Sequence, residues 1–224
     1  MKYLLANWKQ NMTISEIRNW VDVFSKKVSK ESLSKNKIII APSFIHLYEL
    51  KKILVEAGLS DVISIASQSV SQFEKGSHTG EVGAFQISEV ANFTIIGHSE
   101  RRSIGEDFES INKKIEMAMK YNIVPIVCFS KKEEFESLMT SGIKNSQEAL
   151  FLFEPLFAIG TGNPATVEDL IAVHDDYANT DIIYGGSVDK TNVVNYLSCS
   201  FVKGFGVGTA SLDPSGFADI VNAI

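Results

Sequence analysis

Eight short apolar runs, each followed by a longer stretch of helical period, constrain this chain more than any other feature of its sequence. The runs are Tyr3–Trp8, Lys37–Pro42, Val62–Ser67, Phe93–Gly97, Ile123–Phe129, Leu150–Glu154, Asp181–Tyr184 and Gly204–Val207. They are rich in β-branched and aromatic residues, and most are apolar on both faces, as buried parallel strands are. Between them the spacing changes to three and four. Ile14–Lys30 has the best stripe, with Ile14, Ile17, Val21, Phe24 and Val28 on one face and Thr13 or Ser15 able to cap its start. Further helices are predicted over Leu47–Ala57, Gly83–Val90, Ser110–Lys120, Lys131–Met139, Val167–Tyr177, Lys190–Leu197 and Ser215–Ala223. Repeated strand–helix units build a parallel sheet. Eight strands with eight crossovers predict an α/β fold of the (β/α)8 type, a closed eight-stranded parallel sheet surrounded by helices. A doubly wound sheet needs fewer strands and carries a glycine fingerprint after the first, and none stands there. With 224 residues, 45% of them apolar, the chain can bury one large core, so residues 1–224 are expected to form a single domain. No linker, low-complexity tract or charge run divides it.

Charge narrows the partners. Lys and Arg number 21 against 27 Asp and Glu, a net charge of −6, and no basic stripe interrupts that balance, so nucleic acid is not an expected partner. An anionic substrate has to be held by local backbone N–H groups and one or two cations, because the overall field repels it. Cys128 and Cys199 show no CxxC spacing and make no disulfide framework, which fits a reducing cytoplasm. The apolar start from Met1 to Ala6 is broken by Asn7, Lys9, Gln10 and Asn11, so no secretion signal is expected. The apolar stretch Ala149 to Gly160 contains Glu154-Pro155 and is far shorter than the roughly 20 residues that span a bilayer, so no membrane association is expected.

Polar residues at the C-terminal strand ends open into the mouth of a barrel, and there this chain carries chemistry. Asn7 and Lys9 follow the first strand, His98 the fourth, Glu154 ends the sixth and Ser187 follows the seventh. The Gly-rich segments Gly160-Thr161-Gly162, Gly185-Gly186 and Gly204 to Gly208 fall at or after late strands, the end that bears the active site in such barrels. A carboxylate, an imidazole, an ammonium, an amide and a phosphate-sized nest of glycines suit proton transfer beside a carbonyl on a phosphorylated substrate. Pro155 pushes Glu154 toward extended backbone, and a carboxylate inside an apolar run is costly unless it has a task. His98 precedes Ser99-Glu100-Arg101, a first helical turn whose dipole disfavours an imidazolium. No pair among His46, His78 and His174 has metal-ligand spacing backed by other ligands, so no metal is expected.

The same residues carry a resemblance that spans the chain. Asn7-Trp8-Lys9, Ile96 to Arg102, Phe153-Glu154-Pro155 with Ala158 to Gly162, Tyr184 to Val188 and Val207 to Leu212 resemble the motifs of the triosephosphate isomerase family, in order and at the expected strand ends. The resemblance implies a TIM barrel that interconverts dihydroxyacetone phosphate and glyceraldehyde 3-phosphate through an enediolate, in glycolysis and gluconeogenesis, in the cytoplasm and with no cofactor. It implies Glu154 as the base and a neutral His98 as hydrogen-bond donor to the carbonyl. Lys9 and Asn7 would stabilise the enediolate, with Glu100 orienting Lys9. Backbone N–H groups of Gly160, Ser187, Gly208 and Thr209 would hold the phosphate. Pro155, Leu156, Phe157, Ala158, Ile159, Gly160 and Thr161 resemble the family's mobile lid. Gln72 to Glu81, with Gly76, Thr79 and Gly80, resembles the arm that crosses a twofold axis, which implies a homodimer in which Thr79 supports Asn7 or Lys9 of the other subunit.

The chain departs from the pattern at several points. Thr209 replaces a second glycine, Phe157 the usual lid tryptophan, Asn163-Pro164 the common Lys-Thr, and Ser77-His78 a small-plus-aromatic pair at the arm tip. After Cys128, which reads as a buried packing thiol, Phe129-Ser130-Lys131-Lys132 replaces Gly-Glu-Thr, and the connection to the sixth strand is shortened. Two other readings compete. A catalytically silent barrel should have lost a catalytic residue, and Asn7, Lys9, His98 and Glu154 all remain. A sugar-phosphate aldolase should carry a Schiff-base lysine on a central strand, and Lys203 lies before the eighth strand, away from its mouth.

Overall fold

A computed structural model describes residues 1–139, 149–158, 161–177 and 180–224. Its strands are β1 (Tyr3–Asn7), β2 (Lys37–Ala41), β3 (Ile63–Ser67), β4 (Phe93–Ile96), β5 (Val124–Phe129), β6 (Leu150–Phe153), β7 (Ile182–Tyr184) and β8 (Val202–Val207). Each runs parallel to its neighbours, and β8 pairs with β1 to close the barrel. The α/β barrel read from the sequence is the observed fold. Around it, among the described residues, stand α1 (Ile14–Lys27), α2 (Lys30–Lys35), α3 (Leu47–Glu56), α4 (Ala84–Ile87), α5 (Ser99–Ser103), α6 (Phe108–Lys120), α7 (Lys132–Leu138), α8 (Val167–Asp176) and α9 (Pro214–Asn222).

The period-2 alternation of the strands sorts side chains into two layers. Leu5, Ile39, Ala66, Ile95, Ile126, Cys128, Leu152 and Ile183 fill the interior. Leu4, Ala6, Ile38, Ile40, Val127, Phe151 and Phe153 face the helices. The alternation leaves Asn7, the last residue of β1, on the same face as Leu5, and Glu154, one residue past β6, on the same face as Leu152. Outside β1 and β8, Trp8, Trp20, Phe24 and Phe217 pack in a fully buried aromatic cluster, with centroids of Trp8 and Trp20 5.0 Å apart. Each such side chain contributes on the order of 2 kcal/mol through burial.

Three helices differ from the sequence reading. Ile14–Lys30 is not continuous: α1 starts from a Thr13–Glu16 capping box and stops at Lys27, where Val28 turns extended. Ser29 then caps the separate α2 by accepting from the Ser32 N–H. Lys190–Leu197 holds only a 3-10 turn at Val193–Tyr196. There Asp189 Oδ1 caps the turn by taking the N–H groups of Thr191 and Asn192, but the chain after it bonds at 3-10 spacing, Asn195 N–H to the Asn192 carbonyl at 3.0 Å and Leu197 N–H to the Val194 carbonyl at 3.3 Å. Gly83–Val90 shortens to α4, whose start is closed by Gln86 Oε1 on the Gly83 N–H. Lys203 lies within β8, near its first residues and away from the mouth, paired with Asp181 at 3.3 Å. No described helix is long and apolar enough to cross a membrane.

Candidate active site

Glu154 and His98 meet at the mouth of the barrel. Gly97, at φ +70°, turns the chain at the end of β4, and a β-carbon there would meet Ile111 Cδ1 at 3.0 Å. The turn makes His98 the N-cap of α5, where its Nδ1 accepts from the Glu100 N–H at 3.2 Å. A ring nitrogen that accepts carries no proton, so the proton of the ring sits on Nε2. Nε2 lies 3.0 Å from Glu154 Oε1, and both side chains are more than nine-tenths buried. The other oxygen, Oε2, accepts from the Ser99 N–H at 3.4 Å. Beneath them Cys128 fills the barrel interior, and burial, reinforced by the Glu154 carboxylate, pushes its thiol well above the ordinary range. It is the packing thiol that the sequence suggested.

Lys9 is held in left-handed backbone at φ +51°, a conformation that costs a non-glycine residue energy and needs outside support. Its N–H donates to Asn7 Oδ1 at 3.1 Å. Its carbonyl accepts from Ser43 Oγ at 3.2 Å and Gln68 Nε2 at 2.8 Å, and Gln68 also donates to the Ala41 carbonyl at 2.9 Å. The ammonium reaches Glu100 Oε1 at 2.5 Å and lies over Gly208, where an added β-carbon would stand 3.9 Å from Nζ. Lys9 therefore spans from the His98 side of the mouth to the loop after β8.

That loop, a 3-10 turn at Thr209–Leu212, is pinned from behind. Ser211 donates to the Gly208 carbonyl through N–H and Oγ, and Trp20 Nε1 donates to the Ser211 carbonyl at 2.9 Å. Asn7, Lys9, His98, Glu154, Ser187, Gly208 and Thr209 all line one cavity of about 450 Å³, floored by Leu5 and Leu152. Of the predicted phosphate-side residues, Gly160 falls outside the described residues, as does Ile159 of the predicted lid. On either side of them, Pro155 leads into a 3-10 turn at Leu156–Ala158, with Leu156 and Phe157 exposed, and Thr161 Oγ1 donates to the Phe157 carbonyl. Ser187 Oγ donates to the Ala158 carbonyl at 2.6 Å and accepts from the Gly162 N–H at 3.1 Å. Tyr184, whose hydroxyl is pushed up by burial, accepts from the Ala165 N–H and donates to the Gly186 carbonyl, both at 2.7 Å.

In the predicted arm, Ser71 N–H to Val82 carbonyl closes the base, and Gly76, Thr79 and Gly80 are exposed. The His78 ring stacks on Phe73 with centroids 4.1 Å apart. Among the described residues no group of His, Cys, Asp or Glu side chains is arranged to hold a metal ion.

Sequence reasoning passed over Gln68 and Arg102. Arg102, partly buried, pairs with Glu134 at 3.2 Å and donates to the carbonyls of Gly97 and Cys128, joining the ends of β4 and β5. Gln68 directly follows β3, so the strand-end rule that selected His98 also reaches it.

A parallel eight-stranded barrel with a buried carboxylate–imidazole pair and a lysine at its mouth defines a (β/α)8-barrel enzyme. The family model described as "Triosephosphate isomerase" matches residues 2–224. Curated relatives of that name include one from Aquifex aeolicus, 37% identical with 98% of each chain covered, and one from Mesomycoplasma hyopneumoniae, 35% identical with 98% of each covered. Another, from Dictyoglomus turgidum, is 32% identical with 99% of each chain covered. The chain belongs to the triosephosphate isomerase family, and it is an isomerase.

Proposed function

We propose that this chain, as one domain, interconverts dihydroxyacetone phosphate and D-glyceraldehyde 3-phosphate with Glu154 as the base that moves the proton. The reading rests above all on the buried Glu154–His98 contact at 3.0 Å, in the cavity that Lys9 also lines. Glu154 removes a proton from the carbon beside the carbonyl, and the electron pair moves onto the carbonyl oxygen to give an enediolate. His98 Nε2–H donates to that oxygen, and the Lys9 ammonium with the Asn7 amide stabilises its charge. The protonated Glu154 then returns the proton to the neighbouring carbon. In this scheme the substrate oxygen takes the His98 N–H that Glu154 accepts in the structure, so substrate binding itself frees the carboxylate. Glu100 holds Lys9 over the loop, and the N–H groups of Ser187, Gly208 and Thr209 take the phosphate, with Gly160 proposed as a fourth donor. Pro155 to Thr161 serve as the lid that excludes water. The reaction needs no cofactor or metal.

The exposed Phe73–His78 tip supports a homodimer in which Gly76, Thr79 and Gly80 carry the arm to the partner's first strand. The two isolated, buried cysteines support a cytoplasmic location, where the enzyme serves glycolysis and gluconeogenesis. A coupled assay with glyceraldehyde 3-phosphate tests the reading. Turnover is expected without added metal or cofactor in the isomerase step, and a folded protein without turnover would overturn the proposal.

A further inference from the structure

Ser187 stands in left-handed backbone, φ +51°, at the wall of the cavity, and nothing in its own side chain favours that conformation. Its hydroxyl faces the Ala158 carbonyl and the Gly162 N–H, so the backbone angle decides whether one side chain can meet both. The carbonyl of Ser187 accepts from Asn192 Nδ2 at 2.9 Å. The same amide turns its oxygen to the Asp189 N–H at 3.0 Å, while the Asn192 N–H donates to Asp189 Oδ1 at 3.2 Å. Asp189 Oδ1 also accepts from the N–H and Oγ1 of Thr191 at 2.7 and 2.6 Å. Asp189 and Asn192 thus clasp each other reciprocally, and the clasp has one arm left over, which holds Ser187.

We infer that Asn192 is a positioning residue of the isomerase, acting through Ser187 to aim its backbone N–H at the phosphate side of the cavity while its hydroxyl stays on the Ala158 carbonyl and the Gly162 N–H. The inference rests on the function proposed above for the same site. An aspartate of the same shape keeps the acceptor for Asp189 but loses the donor. An alanine loses both. Without the donor, Ser187 relaxes toward negative φ, and its N–H and Oγ leave the wall together. The damage falls on phosphorylated ligands, because Asn192 touches neither the base nor the imidazole.

The test compares the wild type, Asn192→Ala and Asn192→Asp, each with Ser187 and with Ser187→Gly. Glycine adopts left-handed backbone without support. The readouts are kcat/KM for glyceraldehyde 3-phosphate relative to unphosphorylated glyceraldehyde, and calorimetric binding of inorganic phosphate. With Ser187 present, either Asn192 variant is expected to lower the selectivity ratio and phosphate affinity by roughly tenfold or more, since small displacements of positioning groups cost one to two decades. In the Ser187→Gly background the same substitutions are expected to change them by less than about threefold, the coupling of two residues acting as one unit. An undiminished effect on the glycine background, an unchanged ratio on the serine background, or failure of both Asn192 variants to fold would overturn the inference. A wild type that binds phosphate but does not isomerise triose phosphate would overturn the proposed function instead, and the phosphate arm would still decide the role of Asn192.

Discussion

Replacing Gly206 by alanine drives a methyl group into Leu152, the side chain that floors the cavity two residues before Glu154. The new β-carbon would lie 2.9 Å from Leu152 Cδ1, with Leu152 Cδ2 and the Gly185 Cα each at 3.6 Å. Leu152 has little room to yield, because it is 2% exposed and packs inside the closed barrel with Leu5 and Ile183. Overpacking of this kind costs about 1–3 kcal/mol. Leu152→Ala alone opens a cavity and costs about 2–5 kcal/mol. Combined, the two are not additive: once both Leu152 methyls are gone, the nearest remaining neighbour of the new β-carbon is an ordinary contact, and the methyl fills part of the space. A coupling of at least about 1 kcal/mol in favour of the double variant is expected. The assay is thermal unfolding followed by far-UV circular dichroism at one protein concentration and one scan rate. For a chain of this size 1 kcal/mol moves Tm by about 2–4 °C, so Gly206→Ala should lower Tm by roughly 2–12 °C. It should lower it far less, or raise it, when Leu152 is already alanine. Equal drops in both backgrounds would refute the argument that the Leu152 side chain occupies the space which glycine leaves.

Thr209→Gly keeps the proposed backbone donor, so KM for triose phosphate should stay within about threefold while stability falls by about 0.5–1 kcal/mol through backbone entropy. A KM raised more than about tenfold would show that the side chain, not the N–H, grips the phosphate. Glu16, Asp107 and Asp169 are held below their ordinary values first by N–H groups at helix starts, from Thr13, Ser110 and Thr166. A depressed carboxylate contributes stability that is present above its unfolded pKa and lost as pH falls through the folded one. Tm should therefore fall progressively below about pH 4, the unfolded carboxylate range, and a Tm level from pH 6 to pH 3 would contradict these caps. Sedimentation at micromolar protein should show a dimer, and deletion of Phe73–Ser77 should give monomers with much lower kcat. A wild-type monomer with full activity would remove the homodimer.

The sequence made the barrel legible because every strand is a short, doubly apolar run, and a one-sided period of three to four marks the helices around it. Asn7, His98 and Glu154 were legible for a related reason: strand ends of a parallel barrel have one functional face, and the alternation carries it one step past Leu5 and Leu152. What hid was support through backbone atoms. Nothing in the letters around Gln68 says that its amide reaches back to the Ala41 carbonyl at the end of β2 and the Lys9 carbonyl just past β1. The break at Val28 hid because Ser29 reads as one more helical polar residue until its side chain is seen to cap a second helix. Lys190–Leu197 has helical spacing and a capping Asp189, yet after the cap its carbonyls at Asn192 and Val194 bond three residues on, which makes a 3-10 turn.

The central claim is that Glu154 moves the proton, and Glu154→Gln tests it most directly. Glutamine keeps the size of the side chain and can still accept from the His98 N–H, but it cannot hold the substrate proton. The measurement is kcat for glyceraldehyde 3-phosphate beside the far-UV spectrum of the same preparation. The account predicts an unaltered spectrum and a fall in kcat of at least ~10²–10⁴, the usual worth of a general base. A correctly folded Glu154→Gln protein that retains more than about a tenth of wild-type turnover would contradict it.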